Sequence, residues 1–246
     1  MVTKPRVLFI DLETLPNIVT SWGLWVNGML SPDNIITERS IICGGWKWQG
    51  DKELHIVAIN PKDPHNDLEV VRVLHEVVGS ADAVVAHNGD KFDMRWLKAR
   101  IAFHRLSPLP PVIQIDTKKI AKAAFYFNSN KLDYLAKFLG VGQKIKTEFG
   151  LWKACMAGDQ KALDKMTKYC KQDLRLLEAV YDILTPHIPS KLNKVLFADR
   201  EVCQHCGSKA INYRGFYYTR MNKYRRYQCC SCGCWARSLK PFKEIS

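Results

Sequence analysis

The sequence predicts an α/β domain with a mixed β-sheet flanked by helices, followed by a small cysteine-rich module. Short apolar runs alternate with longer segments of helical periodicity, and six of the nine cysteines crowd between Cys203 and Cys234. A chain of 246 residues is long enough for one full-sized core and one small appended unit. We therefore expect two domains, comprising residues 1–188 and 189–246.

The large domain begins with strands. The apolar run at 7–10 leads into Asp11 and Glu13, which predicts a buried strand that delivers carboxylates at its end. Segments 41–48 and 54–59 are strand candidates separated by a Gln-Gly-Asp turn. A helix is predicted by the apolar spacing at 66–78, and another buried strand by the run at 83–86.

Helices and strands alternate through the rest of this domain. A helix at about 92–104 is ended by three prolines and is followed by a strand at 112–115 and a helical stretch at 118–124. Gly140 ends a helix at 132–139, and the longest helical pattern covers 161–184. This order of elements is typical of an α/β domain with a mixed sheet.

Positive charge is concentrated in the C-terminal segment. The formal net charge is +13, and residues 191–246 contain 12 basic and 3 acidic residues. Such a basic segment favours a polyanionic partner. No apolar run approaches the ~20 residues of a membrane span, and the N-terminal region lacks the apolar stretch of a signal peptide. We therefore expect an intracellular, cytoplasmic protein.

Three segments place carboxylates where buried strands or a long helix deliver them. Asp11 and Glu13 are two positions apart on a strand, so their side chains share one face. Two such carboxylates on a buried face repel each other unless a cation lies between them. Asp93 follows a buried strand at a loop-to-helix junction. Tyr169 and Asp173 lie one turn apart on the longest helix.

Each segment alone has an ordinary structural interpretation, as a solvated strand pair, a helix first-turn acid or a half-buried ring beside an exposed acid. Together, in this order, they resemble the DEDD exonuclease superfamily, whose fold is ribonuclease H-like. The matching motifs are Asp11-x-Glu13, Asn88-x-x-x-Phe92-Asp93 and Tyr169-x-x-x-Asp173. The tyrosine of the third motif is similar to that of the DEDDy subgroup. The resemblance covers residues 7 to about 184 and implies 3′-to-5′ exonuclease activity.

The resemblance also implies two divalent cations, Mg²⁺ or Mn²⁺, held by Asp11, Glu13, Asp93 and Asp173. Oxygen ligands suit these ions better than zinc. Two cations ~3.5–4 Å apart promote phosphodiester hydrolysis, because one activates the attacking water and the other stabilises the leaving oxygen. Asp11 would bridge both ions, Glu13 and Asp173 would hold the activating ion, and Asp93 would complete the outer coordination.

Other motif residues are expected to handle the water and the substrate. An unperturbed tyrosine has a pKa of about 10, too high for an efficient general base, so Tyr169 is expected to orient the attacking water. By the family resemblance, Thr14 and Leu15 would hold the terminal nucleotide, with Leu15 against the base. Asn88 and Phe92 would shape the site.

The cysteine-rich module has the spacing of a Cys₄ zinc site. Cys203-x-x-Cys206 and Cys229-x-x-Cys232 are separated by 22 residues, and a glycine follows each pair. The segment resembles a zinc ribbon holding one structural Zn²⁺, which would supply much of its folding free energy. Cys230 and Cys234 offer shifted pairings, and we prefer Cys229 and Cys232 because they preserve the x-x spacing.

Aromatic and basic residues interleave between the two cysteine pairs. Rings stack on bases and cations contact phosphates in single-stranded nucleic acids. Alternatively, half or more of these rings form the ribbon's own small hydrophobic core. The arginines expected to contact substrate are Arg214, Arg220, Arg225 and Arg226.

The leading hypothesis is an exonuclease that acts on single-stranded DNA ends and grips them through the zinc ribbon. An RNA-trimming exonuclease is the first alternative, because the same metal site acts on either sugar. A non-catalytic nucleic-acid-binding protein is the second, although no carboxylate of the pattern is missing. The sequence has no recognisable polymerase segment, so proofreading would require a polymerase or another replication or repair protein as partner.

Overall fold

The computed structural model describes residues 4–25 and 28–242 of the chain. Its strands are β1 (Val7–Thr14), β2 (Ile18–Val19), β3 (Ile35–Thr37), β4 (Ile41–Trp48), β5 (His55–Ala58), β6 (Ala83–Ala86), β7 (Ile113–Asp116), β8 (Ile211–Tyr218), β9 (Lys223–Cys229) and β10 (Trp235–Arg237). Its helices are α1 (Leu68–Gly79), α2 (Asp93–Phe103), α3 (Thr117–Ala124), α4 (Leu132–Phe138), α5 (Phe149–Met156) and α6 (Gln160–Leu184).

A five-stranded sheet in the order β5-β4-β1-β6-β7 forms the main body. β4 pairs antiparallel with both β1 and β5, whereas β6 pairs parallel with β1 and β7. The predicted mixed sheet is therefore confirmed. Leu8, Phe9 and Ile10 of the central strand are fully buried, because helices cover both faces of the sheet.

Alternate residues of β1 pack into separate hydrophobic clusters on the two faces. Leu8, Ile10 and Leu12 join the cluster that contains α1 and α2. Val7 and Phe9 join the cluster that contains α3, α4 and the C-terminal half of α6. This alternation follows from the two-residue period of a strand, and it fixes the face on which Asp11 and Glu13 lie.

Two glycines of β4 allow close packing against the sheet. A Cβ atom built on Gly44 would lie 2.6 Å from a methyl carbon of Leu74, and one built on Gly45 would lie 2.4 Å from a methyl carbon of Leu174. Gly45 also pairs with Asp11 across the sheet. The close packing at Gly45 therefore brings α6 over the strand position that carries the first carboxylate.

The C-terminal part forms a three-stranded antiparallel sheet in the order β10-β9-β8. It is joined to the main body by packing and hydrogen bonds. Leu192 lies in the same cluster as Tyr181, and Lys194 Nζ donates to Gln49 Oε1 at 2.9 Å. His205 Nε2 lies 3.1 Å from Thr185 Oγ1. Contacts with the first core thus extend beyond residue 188.

Most predicted elements are present with small shifts of their ends, and two differences affect the site. β1 continues to Thr14, because Asp11 and Glu13 take part in the backbone ladder to β4. Helix α5 and the short β2/β3 pair were not predicted. Over the described ranges, no helix combines the length and apolarity needed to cross a bilayer.

Candidate active site

Three carboxylates, two from β1 and one from the distant helix α6, meet at the C-terminal half of β1. Asp11 and Glu13 project from one face of this strand, and Asp173 projects from α6, which crosses that face. One carboxylate oxygen from each lies within 4.8 Å of those of the other two. The structure therefore brings together three of the four carboxylates predicted to bind metal.

Burial and mutual repulsion make this cluster unusual. Burial raises the pKa of Asp11 well above its ordinary value, and the charges of Asp93, Asp173 and Glu13 raise it further. Burial and the Asp173 charge raise the pKa of Glu13 to about 8. Without bound cations, it is therefore unfavourable for all of these carboxyl groups to be ionised at once.

The donor set fits a hard divalent cation. Asp11 Oδ2 and Asp173 Oδ1 are buried without a hydrogen-bond partner in the described part of the chain. A buried carboxylate oxygen in this state is costly unless a cation contacts it. Because the ligands available are oxygens only, they suit Mg²⁺ or Mn²⁺.

Asp93 lies beside the three carboxylates but outside their 4.8 Å group. It is the first residue of α2, and its Oδ1 accepts a hydrogen bond from the backbone N–H of Leu12 at 2.9 Å. Burial raises its pKa to about 7. Asp93 thus ties the start of α2 to β1, with one of its oxygens already used by the backbone.

Lys144 is a site residue that the sequence analysis missed. Its Nζ lies 2.5 Å from Asp173 Oδ2 and donates to the Tyr169 hydroxyl oxygen at 3.2 Å. Burial lowers its pKa, but the Asp173 carboxylate overcomes this effect and raises the pKa above its ordinary value. Lys144 lies in an irregular segment between α4 and α5, where no periodicity marks it.

Tyr169 is buried next to Asp173, one turn earlier on α6. Burial, and then the Asp173 charge, raise the pKa of its hydroxyl to about 12. The tyrosine therefore stays protonated at neutral pH. Its ring packs edge to face against Trp152, with centroids 6.3 Å apart.

The remaining predicted residues lie around this cluster. Asn88 adopts a left-handed backbone conformation with φ of 71°, and its N–H donates to Asp116 Oδ1 at 2.9 Å. Phe92 is half-buried at the N-cap position of α2. Thr14 is buried, and Leu15 is fully buried in the core while also lining a small cleft. Their expected roles in shaping the site and holding the terminal nucleotide stay predictions.

Four cysteines of the C-terminal sheet converge. The sulfurs of Cys203, Cys206, Cys229 and Cys232 all lie within 4.8 Å of one another. The Cys203–Cys232 and Cys206–Cys229 sulfur distances are 3.7 Å and 3.6 Å. Sulfurs ~2.3 Å from a tetrahedral zinc ion would be about 3.8 Å apart, so the donor set fits Zn²⁺. All four cysteines are free thiols rather than disulfides.

The four arginines predicted to contact substrate do not form one surface. Arg225 and Arg226 are neighbours on β9, so they point to opposite faces of the sheet. Arg225 lies over Tyr213 and Phe242, whereas Arg226 lies over Trp235. Arg214 is at the irregular register of β8, and Arg220 lies between β8 and β9.

We name the two faces by their residues. The packed face consists of Tyr213, Phe216, Arg225, Tyr227 and Phe242. Tyr213 packs against Tyr227, Phe216 packs against Phe242, and the Arg225 guanidinium lies over Phe242. The open face consists of Tyr217, Tyr224, Arg226, Trp235 and Arg237. The open face lines a cleft of about 340 Å³.

Comparison with known proteins addresses the fold of the main body. A family model described as the RNase_H superfamily matches residues 36–185, which is more than half of the chain. This range includes Asp93, Tyr169 and Asp173 but begins after Asp11 and Glu13. No curated protein matches the sequence.

Among solved structures, the family B DNA polymerase from the hyperthermophilic archaeon Pyrobaculum calidifontis is similar over 91% of this chain. The TM-score is 0.57 and the sequence identity is 14%, a level at which the likeness shows the fold alone. The similar region is 32% of the polymerase, so this chain spans about a third of its length. Together with the mixed sheet and the family match, these findings show that the chain belongs to the RNase_H superfamily.

Proposed function

We propose that this protein is a metal-dependent 3′-to-5′ exonuclease of the DEDDy kind, acting on single-stranded DNA ends. The observation that carries the proposal is the meeting of Asp11, Glu13 and Asp173 beside Tyr169. Two of their buried carboxylate oxygens have no hydrogen-bond partner among the described residues. Membership of the RNase_H superfamily supports a nuclease. The 3′-to-5′ polarity and the choice of DNA rest on the motif resemblance and on the basic C-terminal segment.

In this proposal, residues of the chain hold the divalent cations, orient the attacking water and offset negative charge. Asp11, Glu13 and Asp173 would hold the divalent cations, which when bound would supply an activated water and stabilise the leaving oxygen. Asp93 would stay hydrogen-bonded to the Leu12 N–H and fix the position of α2 against β1. A phosphodiester anion would otherwise be repelled by these carboxylates, so the site needs cations before substrate approaches.

Tyr169 and Lys144 would position the attacking water. The hydroxyl of Tyr169 lies between Lys144 Nζ and Asp173. With a pKa of about 12, it donates a hydrogen bond rather than removing a proton at neutral pH. Lys144 holds the phenol oxygen and partly offsets the negative charge of Asp173.

We further propose a division of labour between residues 1–188 and residues 189–246. The first would carry the chemistry, since all the predicted carboxylates and Tyr169 lie there. The second would bind zinc through the four converging cysteines and would contact nucleic acid through its basic and aromatic residues.

The direct test is an end-labelled substrate panel. Single-stranded DNA, duplex DNA and single-stranded RNA, each labelled at either end, would be incubated with Mg²⁺, Mn²⁺ or EDTA. We expect 5′-labelled single-stranded DNA to give a ladder that shortens one nucleotide at a time with Mg²⁺ or Mn²⁺ and no cleavage with EDTA. Immediate release of a 5′-terminal nucleotide would contradict the polarity, and preferential RNA cleavage would contradict the substrate.

Replacing Tyr169 with phenylalanine should lower kcat by about 10- to 100-fold and leave metal affinity unchanged. The ring still packs against Trp152, and only the hydroxyl near Lys144 and Asp173 is removed. One hydrogen bond to a charged or reacting group contributes about this much. Metal titration monitored by cleavage would separate the two effects. Normal turnover at saturating metal with weakened metal affinity would show that Tyr169 supports the ligands instead.

Protein purified without added zinc should contain about one tightly bound Zn²⁺ per chain. Replacing both Cys203 and Cys206 with serine should remove it, because two of the four sulfurs within 4.8 Å are lost. The matched control is Cys230→Ser, which changes an exposed cysteine outside the group and should retain the ion. Elemental analysis of the three proteins gives the result. Zinc retained in the double variant would contradict the assignment.

A further inference from the structure

A small cleft opens beside the carboxylate cluster. Its volume is about 310 Å³, and it lies where the end of β1 faces α5. The residues that line it are Thr14, Leu15, Pro16, Arg39, Phe149 and Trp152. Leu15 and Pro16 give the cleft an apolar side, and Phe149 and Trp152 give it an aromatic side. Arg39 is the cation among these lining residues.

This cleft adjoins the proposed catalytic residues on two sides. Thr14 directly follows Glu13 on β1. Trp152, on the opposite wall, packs its ring against Tyr169 at a centroid distance of 6.3 Å. A strand end seated in the cleft would therefore place its last phosphodiester close to the carboxylates.

Arg39 is a cation with no anionic partner among the residues that the structure describes. Its guanidinium lies over the Trp96 ring at 4.9 Å, and its backbone N–H donates to Asn17 Oδ1 at 2.8 Å. The residue is half-buried, and its Nε is buried without a hydrogen-bond partner. Within residues 4–25 and 28–242, its side chain forms no hydrogen bond and no ion pair. Lys144, by contrast, is paired with Asp173.

The chemistry of arginine indicates what would complete this arrangement. A partly buried cation without an anion is costly, so a ligand that supplies the anion is favoured. A planar guanidinium offers donors in a fork that matches two phosphate oxygens. The contact with the Trp96 ring restricts the position of the guanidinium before substrate arrives. Phe149, which is 59% exposed, and Trp152 provide rings on which a base can stack.

We propose that Arg39, which lines the same cleft as Thr14 and Leu15, binds the substrate-strand phosphate on the 5′ side of the scissile bond. The inference rests on the proposed exonuclease function and adds a residue that positions the strand. It gives a role to Arg39, which lies near the carboxylates but, among the described residues, does not pair with them as Lys144 does.

The test compares two substrates in wild-type protein and in Arg39→Ala. Oligothymidylate contains the neighbouring phosphate, whereas the 4-nitrophenyl ester of thymidine 5′-monophosphate contains only the scissile phosphate. We expect Arg39→Ala to lower kcat/KM for the oligonucleotide by about 10- to 100-fold, mainly through KM, and for the ester by less than about 3-fold. Equal losses on both substrates, or no loss on either, would overturn the proposal.

Two further variants control for charge and folding. Arg6→Ala removes another arginine that stacks on a tryptophan, Trp48, and should leave both substrates unaffected. Arg39→Lys keeps the charge but loses the fork, and it should give an intermediate loss on the oligonucleotide. Thermal unfolding of each variant confirms that the chain is folded before kinetics are measured.

A neutral linkage locates the contact. In Ca²⁺, which takes oxygen ligands as Mg²⁺ does, an oligothymidylate with one methylphosphonate on the 5′ side of the scissile bond should bind wild-type protein about 10-fold more weakly than normal DNA. Arg39→Ala should bind the two oligonucleotides equally well. This binding measurement needs no catalysis. If no substrate is cleaved but the two effects still coincide, the exonuclease assignment fails and Arg39 remains a phosphate-binding residue. If the linkage and the substitution weaken binding additively, Arg39 does not contact that phosphate.

Discussion

Replacing Asp11 with asparagine is expected to lower cleavage by at least about 1000-fold and, at the same time, to raise the thermal stability of the metal-free protein. The loss of cleavage follows because this carboxylate would bridge the cations. The gain in stability follows because Asp11 is buried among Glu13, Asp93 and Asp173, and its Oδ2 has no hydrogen-bond partner in the part of the chain that the structure describes. Removing one like charge from such a cluster relieves repulsion.

The measurement combines cleavage with thermal unfolding in EDTA and in Mn²⁺. Wild-type protein should be stabilised by Mn²⁺, since a ligand that binds only the folded state raises Tm. Asp11→Asn should unfold at a higher temperature than wild type in EDTA and gain little from Mn²⁺. Asp173→Asn should also lose cleavage but not gain stability, because it leaves Lys144 without its ion pair.

Asp164→Asn is the matched control for this experiment. Asp164 is an exposed acid on α6, the helix that carries Asp173. Cleavage and the Mn²⁺ response should both stay near wild type in this variant. If Asp11→Asn instead retained near wild-type turnover, or if it destabilised the metal-free protein, the cluster would be a structural feature and not a cation site.

The fold was predictable to a useful extent because β6 and the first half of β1, two neighbouring strands of the main sheet, are short continuous apolar runs. Such runs identify buried strands without further information. The pairing of Asp11 with Tyr169 and Asp173 came from motif order rather than from geometry. The structure adds the reason that they meet, which is the packing of α6 over Gly45.

Other features were not predictable, because they depend on contacts between distant segments. Lys144 has no sequence signal, and only the position of its loop against α6 reveals the ion pair with Asp173. Arg39 likewise becomes notable only in the structure, where its side chain has no anionic partner within residues 4–25 and 28–242. Helix α5 was missed because it is eight residues long, contains Gly150 and has no side-chain cap.

The C-terminal sheet shows the same limit in another form. Sequence composition identified a basic aromatic segment but could not separate its two faces. The packed face uses its rings in mutual contacts, and Tyr213 also hydrogen-bonds Glu201, an acid that would repel phosphates. On the open face, Tyr217 and Trp235 remain 48% and 46% exposed beside Arg226 and Arg237. We therefore expect a single strand to bind the open face rather than the packed face.

Replacing Arg226 and Arg237 together with alanine should weaken binding of single-stranded DNA by about 10- to 100-fold and make it less sensitive to salt. Each phosphate contact on a single strand contributes about −0.7 to the slope of log K against log salt, so losing two should reduce the slope by about 1.4. Arg225→Ala, on the packed face, is the control and should leave the slope nearly unchanged. Anisotropy of labelled oligothymidylate, with Ca²⁺ in place of Mg²⁺ or Mn²⁺ and no chelator that would remove the structural zinc, measures both quantities across a salt series. At saturating substrate the double variant should still cleave at the wild-type rate, because the carboxylates and Tyr169 lie in the main body.

A slope lowered by Arg225→Ala and not by the double substitution would place the strand on the packed face. An unchanged slope in both variants would show that the ribbon does not bind the strand.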